Sequence, residues 1–259
     1  MGKSQLPGPA WKGYRTLRAV LATAGPNGTF PRTILVTSAS PGDGKTMTAV
    51  NLAITLAASD MRVILVDADL HRPMVGTILH VATRGDGFTD VLSGRIPIEA
   101  ALTHAPSHPH LSLLLSRREH VSHVRLFDAS RVHGLLQRLS DKGDVIVIDS
   151  PPLPEVAEAL ELAAAVDAVL LAVRLGHTNR DRLNQLREMF ARRAVSPVGF
   201  VVTTRRSAQA ESPYDYGGNV TAVPVSDGNV TTEPSTTTES EAEKWWSERR
   251  GSIVRLQDR

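Results

Sequence analysis

Three short stretches hold the residue types that could move a phosphoryl group. The first is Ala39-Ser40-Pro41-Gly42-Asp43-Gly44-Lys45-Thr46. Gly42 and Gly44 let the backbone curl without Cβ clashes. The loop N–H groups and the start of a following helix can then face an anion. Lys45 is a point charge for the β- and γ-phosphates, and the Thr46 hydroxyl suits Mg²⁺. Ala39 stands where such a loop usually has its first Gly. Ser40, Pro41, Gly42, Asp43, Gly44, Lys45, Thr46 and Met47 are therefore the expected nucleotide-binding residues. The other two stretches are Leu65-Val66-Asp67-Ala68-Asp69 and Val145-Ile146-Val147-Ile148-Asp149-Ser150-Pro151-Pro152. Phoshoryl transfer needs Mg²⁺ on one or two carboxylates plus the loop hydroxyl, and a group that orients or deprotonates the nucleophile. Asp149 is expected in the metal shell through water. Asp67 is expected as base or metal ligand, with Asp69 assisting. An acid closing a strand could also do no more than cap the next helix.

The surrounding elements have to bring these stretches together. Thr33 to Thr37 reads as a buried strand leading into the loop, and Thr46 to Ala58 as the helix leaving it. Further strands are expected at 62–67, 111–115, 144–149, 167–174 and 198–203. Helices are expected at 10–23, 128–139, 154–165 and 179–193, with Asp128 a candidate N-cap and short helical pieces at 88–92 and 98–102. Continuously apolar strands alternating with helices predict an α/β fold, a mostly parallel sheet covered on both faces. Ligands in such folds bind at the carboxyl ends of the strands, where the loop, Asp67 and Asp149 all fall.

Composition narrows the classes. With 259 residues and a hydrophobic fraction of 41%, one domain of ordinary size plus a tail is expected. The organisation reads as an arm over 1–9, a nucleotide-binding domain over 10–206 and a disordered tail over 207–259. The chain has no Cys, which excludes disulfides, thiolate metal sites and a Cys nucleophile. No apolar run approaches the ~20 residues that span a bilayer, so a cytoplasmic location is expected. Net charge is +2, too small and scattered for a nucleic-acid footprint. The tail is rich in Ser, Thr, Gly, Pro and acids and carries Tyr214 and Tyr216, two of the three tyrosines in the chain. Its basic end, with Trp245 and Trp246, could dock a partner or an anionic membrane face.

Together the three stretches resemble the bacterial tyrosine kinases, the autokinases of capsule and exopolysaccharide export. Ser40 to Thr46 is similar to their Walker A loop, Asp67 and Asp69 to their Walker A′ Asp-x-Asp, and Asp149 to Pro152 to their Walker B. Tyr14-Arg15-Thr16-Leu17-Arg18 resembles their N-terminal oligomerisation helix, with Lys12 where that family has Glu. The resemblance covers about residues 10–204. It implies a P-loop fold binding ATP and Mg²⁺ and catalytic roles for Lys45, Asp67, Asp69 and Asp149. Thr46, Asp67 and Asp149 would be near the metal, Arg15 and Arg18 at a contact between copies, and Tyr214 or Tyr216 the phosphoacceptor. It further implies a separate transmembrane adaptor of the polysaccharide chain-length (co-polymerase) type, holding the kinase at the inner face of the membrane. The broader kin are ATPases that position plasmids and division sites; their signature Lys is Ser40 here. A nucleotide-switched scaffold without kinase activity is the alternative, and phosphotyrosine separates the two.

Overall fold

The computed structural model describes residues 8–82, 87–118, 126–156, 158–204, 221–223 and 252–255. Nine strands form one sheet: β1 (Thr33–Ser38), β2 (Val63–Asp67), β3 (Leu102–His104), β4 (Leu111–Leu114), β5 (Val145–Asp149), β6 (Ala168–Arg174), β7 (Gly199–Thr203), β8 (Thr221–Val223) and β9 (Ser252–Arg255). Their order is β3-β4-β2-β5-β1-β6-β7-β9-β8. All neighbouring pairs are parallel except β3 with β4 and β8 with β9. The helices are α1 (Gly8–Leu21), α2 (Lys45–Ala57), α3 (Val75–Ile78), α4 (Phe88–Leu92), α5 (Ile98–Ala101), α6 (Ala129–Ser140), α7 (Glu158–Ala165) and α8 (Arg180–Arg192).

Side chains that alternate along each strand divide the core into two layers. Ile34, Val36, Val63, Leu65, Val145, Val147 and Leu170 pack with Tyr14, Leu17 and Leu21 of α1 and with the apolar length of α2. Leu35, Ile64, Val66, Ile146, Ile148, Val169 and Leu171 point the other way, onto α4, α6, α7 and α8. Both faces are covered, so the central strands are buried along their whole length and show no polar alternation. Asp128 caps α6 as expected, accepting from the Arg131 N–H at 3.0 Å, and Asn179 caps α8.

Several boundaries differ from the sequence expectation. The expected helix over 154–165 begins at Glu158, after a turn that follows Pro151-Pro152. Leu102 leaves the helical region (ψ 131°) and opens β3, an antiparallel edge strand of three residues. The segment 207–259 is not without structure throughout. Ser252–Arg255 adds β9 in parallel beside β7, and Thr221–Val223 adds β8 beside β9. The edge of β7 otherwise presents unpaired backbone groups, and Ile253-Val254 is a β-branched pair suited to a strand. Thr221 pairs with Arg255, which pairs with Val202 of β7. The stretch between Thr203 and Thr221 therefore starts and ends at the carboxyl end of the sheet. Tyr214, Tyr216, Trp245 and Trp246 lie outside the described residues, as does most of the 1–9 arm.

Candidate active site

Adjacency of β2, β5 and β1 brings the three sequence stretches together. Asp67 and Asp149 close neighbouring parallel strands in direct register, and the loop 39–44 leads from β1 to the first residue of α2, Lys45. Gly42 and Gly44 take φ of +83° and +92°, the left-handed region that costs other residues about 1–2 kcal/mol. A Cβ on Gly44 would also lie 3.0 Å from Thr203 Cγ2. Gly44→Ala is accordingly expected to lower the melting temperature and to abolish the further rise that Mg·ATP gives the wild type; thermal melts with and without nucleotide check this.

The loop is braced from beneath by residues that the sequence did not single out. Asp43 is fully buried. Its carboxylate accepts from the Ser40 N–H (2.9 Å) and the Thr178 hydroxyl (2.8 Å), and lies 3.0 Å from His177 Nδ1. Thr203 Oγ1 donates to the Asp43 carbonyl at 2.8 Å, and Arg174 Nη1 to the Gly42 carbonyl at 3.0 Å. The Asp43 side chain thus anchors the loop to the segment after β6, and only its backbone is left to face an anion. Arg174, His177, Thr178 and Thr203 are more than a hundred residues from the loop, in stretches with no motif of their own.

Above the strand ends the charges are dense and dry. Lys45 Nζ lies 3.0 Å from Asp69 Oδ2, with side chains 12% and 3% exposed. Asp69 Oδ1 accepts from the Arg72 N–H at 2.9 Å. Asp67 accepts from the Val75 and Asp69 N–H groups at 3.0 and 3.3 Å. Burial, then the charge of Asp149, push the Asp67 carboxyl well above the usual carboxylate range, against those two hydrogen bonds. Burial alone would lower the Lys45 ammonium, but Asp149, Asp69 and Asp67 together outweigh it and raise it. Burial pushes Asp149 up to about 7, although the Lys45 charge and the nearby Thr46 hydroxyl pull it back. Both Asp149 oxygens are buried without a hydrogen-bond partner among the described residues.

A buried, unpartnered carboxylate is costly unless something satisfies it. Asp149 beside Thr46 is a pair of hard oxygen donors, and that donor set fits Mg²⁺, which keeps several waters and takes one or two carboxylates with phosphate oxygens. No group of three or more His, Asp or Glu side chains among the described residues forms a metal cage, so water and phosphate would complete the shell. Arg15 is exposed and Arg18 half-buried on α1, a helix that packs against α2 and is tied to it by Asn51 Nδ2 donating to the Tyr14 hydroxyl at 3.4 Å. They are part of that helical layer rather than of the acid cluster.

Comparison with known proteins gives the family and the fold's relatives. Residues 31–194 match the AAA domain family. Tyrosine-protein kinase YwqD of Bacillus subtilis is 29% identical over 205 residues, 79% of this chain and 85% of that protein. Tyrosine-protein kinase ptk of Acinetobacter johnsonii is 28% identical over 177 residues, 68% of this chain but 24% of its own length. The kinase domain of Escherichia coli tyrosine kinase ETK shares the fold with a TM-score of 0.65 at 24% identity, covering 78% of this chain and 79% of that one. The septum site-determining protein MinD of Pyrococcus horikoshii, complexed with Mg-ADP, shares it at 0.55 and 22%, covering 71% and 75%. The chain belongs to the AAA domain family, and the curated relatives it is similar to in sequence are bacterial tyrosine-protein kinases.

Proposed function

We propose that the chain is an ATP-dependent protein-tyrosine autokinase that regulates capsular or exopolysaccharide assembly. The observation that carries this reading is the unpartnered Asp149 carboxylate, in register with Asp67 and beside the Lys45 loop. Backbone N–H groups of 40–47 hold the phosphates. Lys45 exchanges Asp69 for a phosphate oxygen and stabilises the charge that develops on the transferring group. Thr46 and Asp149, with Asp67 nearby, would hold Mg²⁺, which would supply positive charge to neutralise the phosphates. A tyrosine hydroxyl attacks the γ-phosphorus, the bond to the bridging oxygen breaks towards ADP, and the hydroxyl proton passes to Asp67 or to Asp69 once Lys45 has left it. Tyr214 and Tyr216 are the acceptors. A transmembrane adaptor of the polysaccharide chain-length type holds the chain at the cytoplasmic face of the membrane. Arg15 and Arg18 serve contacts between copies, and the Trp245-Trp246 end serves docking to a partner or lipid.

Labelling from γ-labelled ATP tests the acceptor assignment. Tyr214→Phe/Tyr216→Phe is expected to remove nearly all label; full labelling of that pair would place the acceptor elsewhere. One observation favours the scaffold alternative. Lys12 is exposed one turn before the exposed Arg15, so α1 presents like charges, which weaken self-association unless an acidic surface meets them.

A further inference from the structure

Arg174 and Thr203 are register partners at the carboxyl ends of β6 and β7. β1 ends at Ser38, opposite Ala172, so β6 and β7 run on past it and form a wall beside the phosphate loop. The Leu175 N–H donates to the Thr203 carbonyl at 2.9 Å and closes that wall. From it, two donors reach two consecutive carbonyls of the loop. Arg174 Nη1 holds the Gly42 carbonyl at 3.0 Å, and Thr203 Oγ1 holds that of Asp43 at 2.8 Å. A trans peptide is planar, with its C=O and N–H on opposite sides, and none of the peptides here is cis. A carbonyl held towards the wall therefore turns the N–H of the next residue away from it. The bond to Gly42 so aims the Asp43 N–H, and the bond to Asp43 aims the Gly44 N–H. Neither N–H donates a hydrogen bond among the described residues. Asp43 is nonetheless fully buried, and buried backbone donors are rarely left unpaired. Two aimed, unspent donors on consecutive residues form an anion-binding concavity.

The loop does not keep this geometry by its own stiffness. Gly42 and Gly44 flank Asp43 and both take positive φ, and glycine backbone turns more freely than any other. What fixes it comes from outside. The Asp43 carboxylate is held by Thr178 and lies against His177, and the Thr178 hydroxyl in turn accepts from the Arg174 N–H at 2.7 Å. A Cβ on Gly42 would lie 3.6 Å from His177 Cε1 and 3.8 Å from Arg174 Nη1, so both side chains lie over that glycine. We propose that Arg174 and Thr203 are positioning residues for the nucleotide: by holding the Gly42 and Asp43 carbonyls, they aim the Asp43 and Gly44 N–H groups at phosphate oxygens. This rests on nucleotide binding at the loop and is independent of tyrosine as the acceptor. Arg174 acts through the backbone and leaves the phosphates to the amides and Lys45. The gain is preorganisation, since a loop already held in its binding form spends less of the interaction on being ordered.

The test is amide-proton NMR of the full chain at saturating Mg·ADP, beside calorimetry of the same titration. An N–H that bonds a phosphate oxygen moves downfield. In the wild type the Asp43 and Gly44 resonances are both expected to do so. Thr203→Ala is expected to shrink the Gly44 shift and keep most of the Asp43 shift; Arg174→Gln is expected to do the reverse. Each variant is expected to bind Mg·ADP about five- to twentyfold more weakly, since hydrogen bonds to a charged group are misaimed rather than deleted. Thr203→Ser restores the hydroxyl and is expected to recover most of the loss. A role confined to stability would lower the melting temperature and leave the two bound-state shifts as they are in the wild type. That result, or unchanged affinity in both variants, would overturn the assignment. So would a wild type that binds Mg·ADP with neither resonance moved. A wild type that binds neither Mg·ADP nor Mg·ATP would remove the nucleotide reading, and this assignment with it.

Discussion

Lys45→Met lowers phosphoryl transfer by roughly 10²–10³-fold, the usual cost of removing one preorganised donor from developing charge. The variant also loses the cation that balances three buried carboxylates. Asp69, 3% exposed and 3.0 Å from Lys45, keeps the Arg72 amide as its partner among the described residues, and breaking a buried pair by removing one partner costs about 3–5 kcal/mol before relaxation. Asp149 loses the charge that pulls its carboxyl down, so its affinity for a proton rises further. Part of the stability loss is therefore recovered by proton uptake, and the deficit relative to wild type is larger at pH 8 than at pH 6. Urea unfolding at the two pH values, beside single-turnover rates, checks both halves.

Asp149→Asn separates stability from function. The folded carboxyl titrates at about 7 against an ordinary 3.8. Between those values the folded chain holds a proton that the unfolded chain has released, so the stability of the nucleotide-free wild type falls as pH rises from about 4 to about 7 and levels above it. The Asp149 share of that fall is on the order of 4 kcal/mol. Asn at 149 removes this share, leaving the slope that comes from Asp67. Mg²⁺-dependent nucleotide binding runs the other way. The cation requires the carboxylate, so below pH 7 affinity in the wild type weakens, approaching tenfold per pH unit, and a proton is released on binding. Asp149→Asn loses that pH dependence along with most of its turnover. Calorimetry in buffers of different ionisation enthalpy measures the released proton. A wild type whose Mg·ATP affinity is flat from pH 5.5 to 8 would exclude Asp149 from the metal shell.

What the sequence made legible follows from how local each determinant is. Gly42, Gly44, Lys45 and Thr46 act within one turn of chain, and Asp67 and Asp149 each end an apolar run, so motif and strand end could be read together. Period-two burial on a sheet covered on both faces leaves apolar runs, which located β1, β2, β5 and β6. The brace on Asp43 was not legible, because Arg174, His177, Thr178 and Thr203 reach the loop only through the β1–β6–β7 adjacency. The strands β3, β8 and β9 were missed for a related reason. Each has three or four residues, and their place is set by an edge that needs a partner more than by their own composition.

The most direct test of the account incubates the purified chain with Mg·ATP, with and without a membrane-adaptor fragment, and maps phosphate by mass spectrometry. Phosphate on Tyr214 or Tyr216, absent from Lys45→Met, is the predicted result. ATP bound and turned over with no phosphotyrosine under either condition would contradict the kinase reading and leave a nucleotide-switched scaffold.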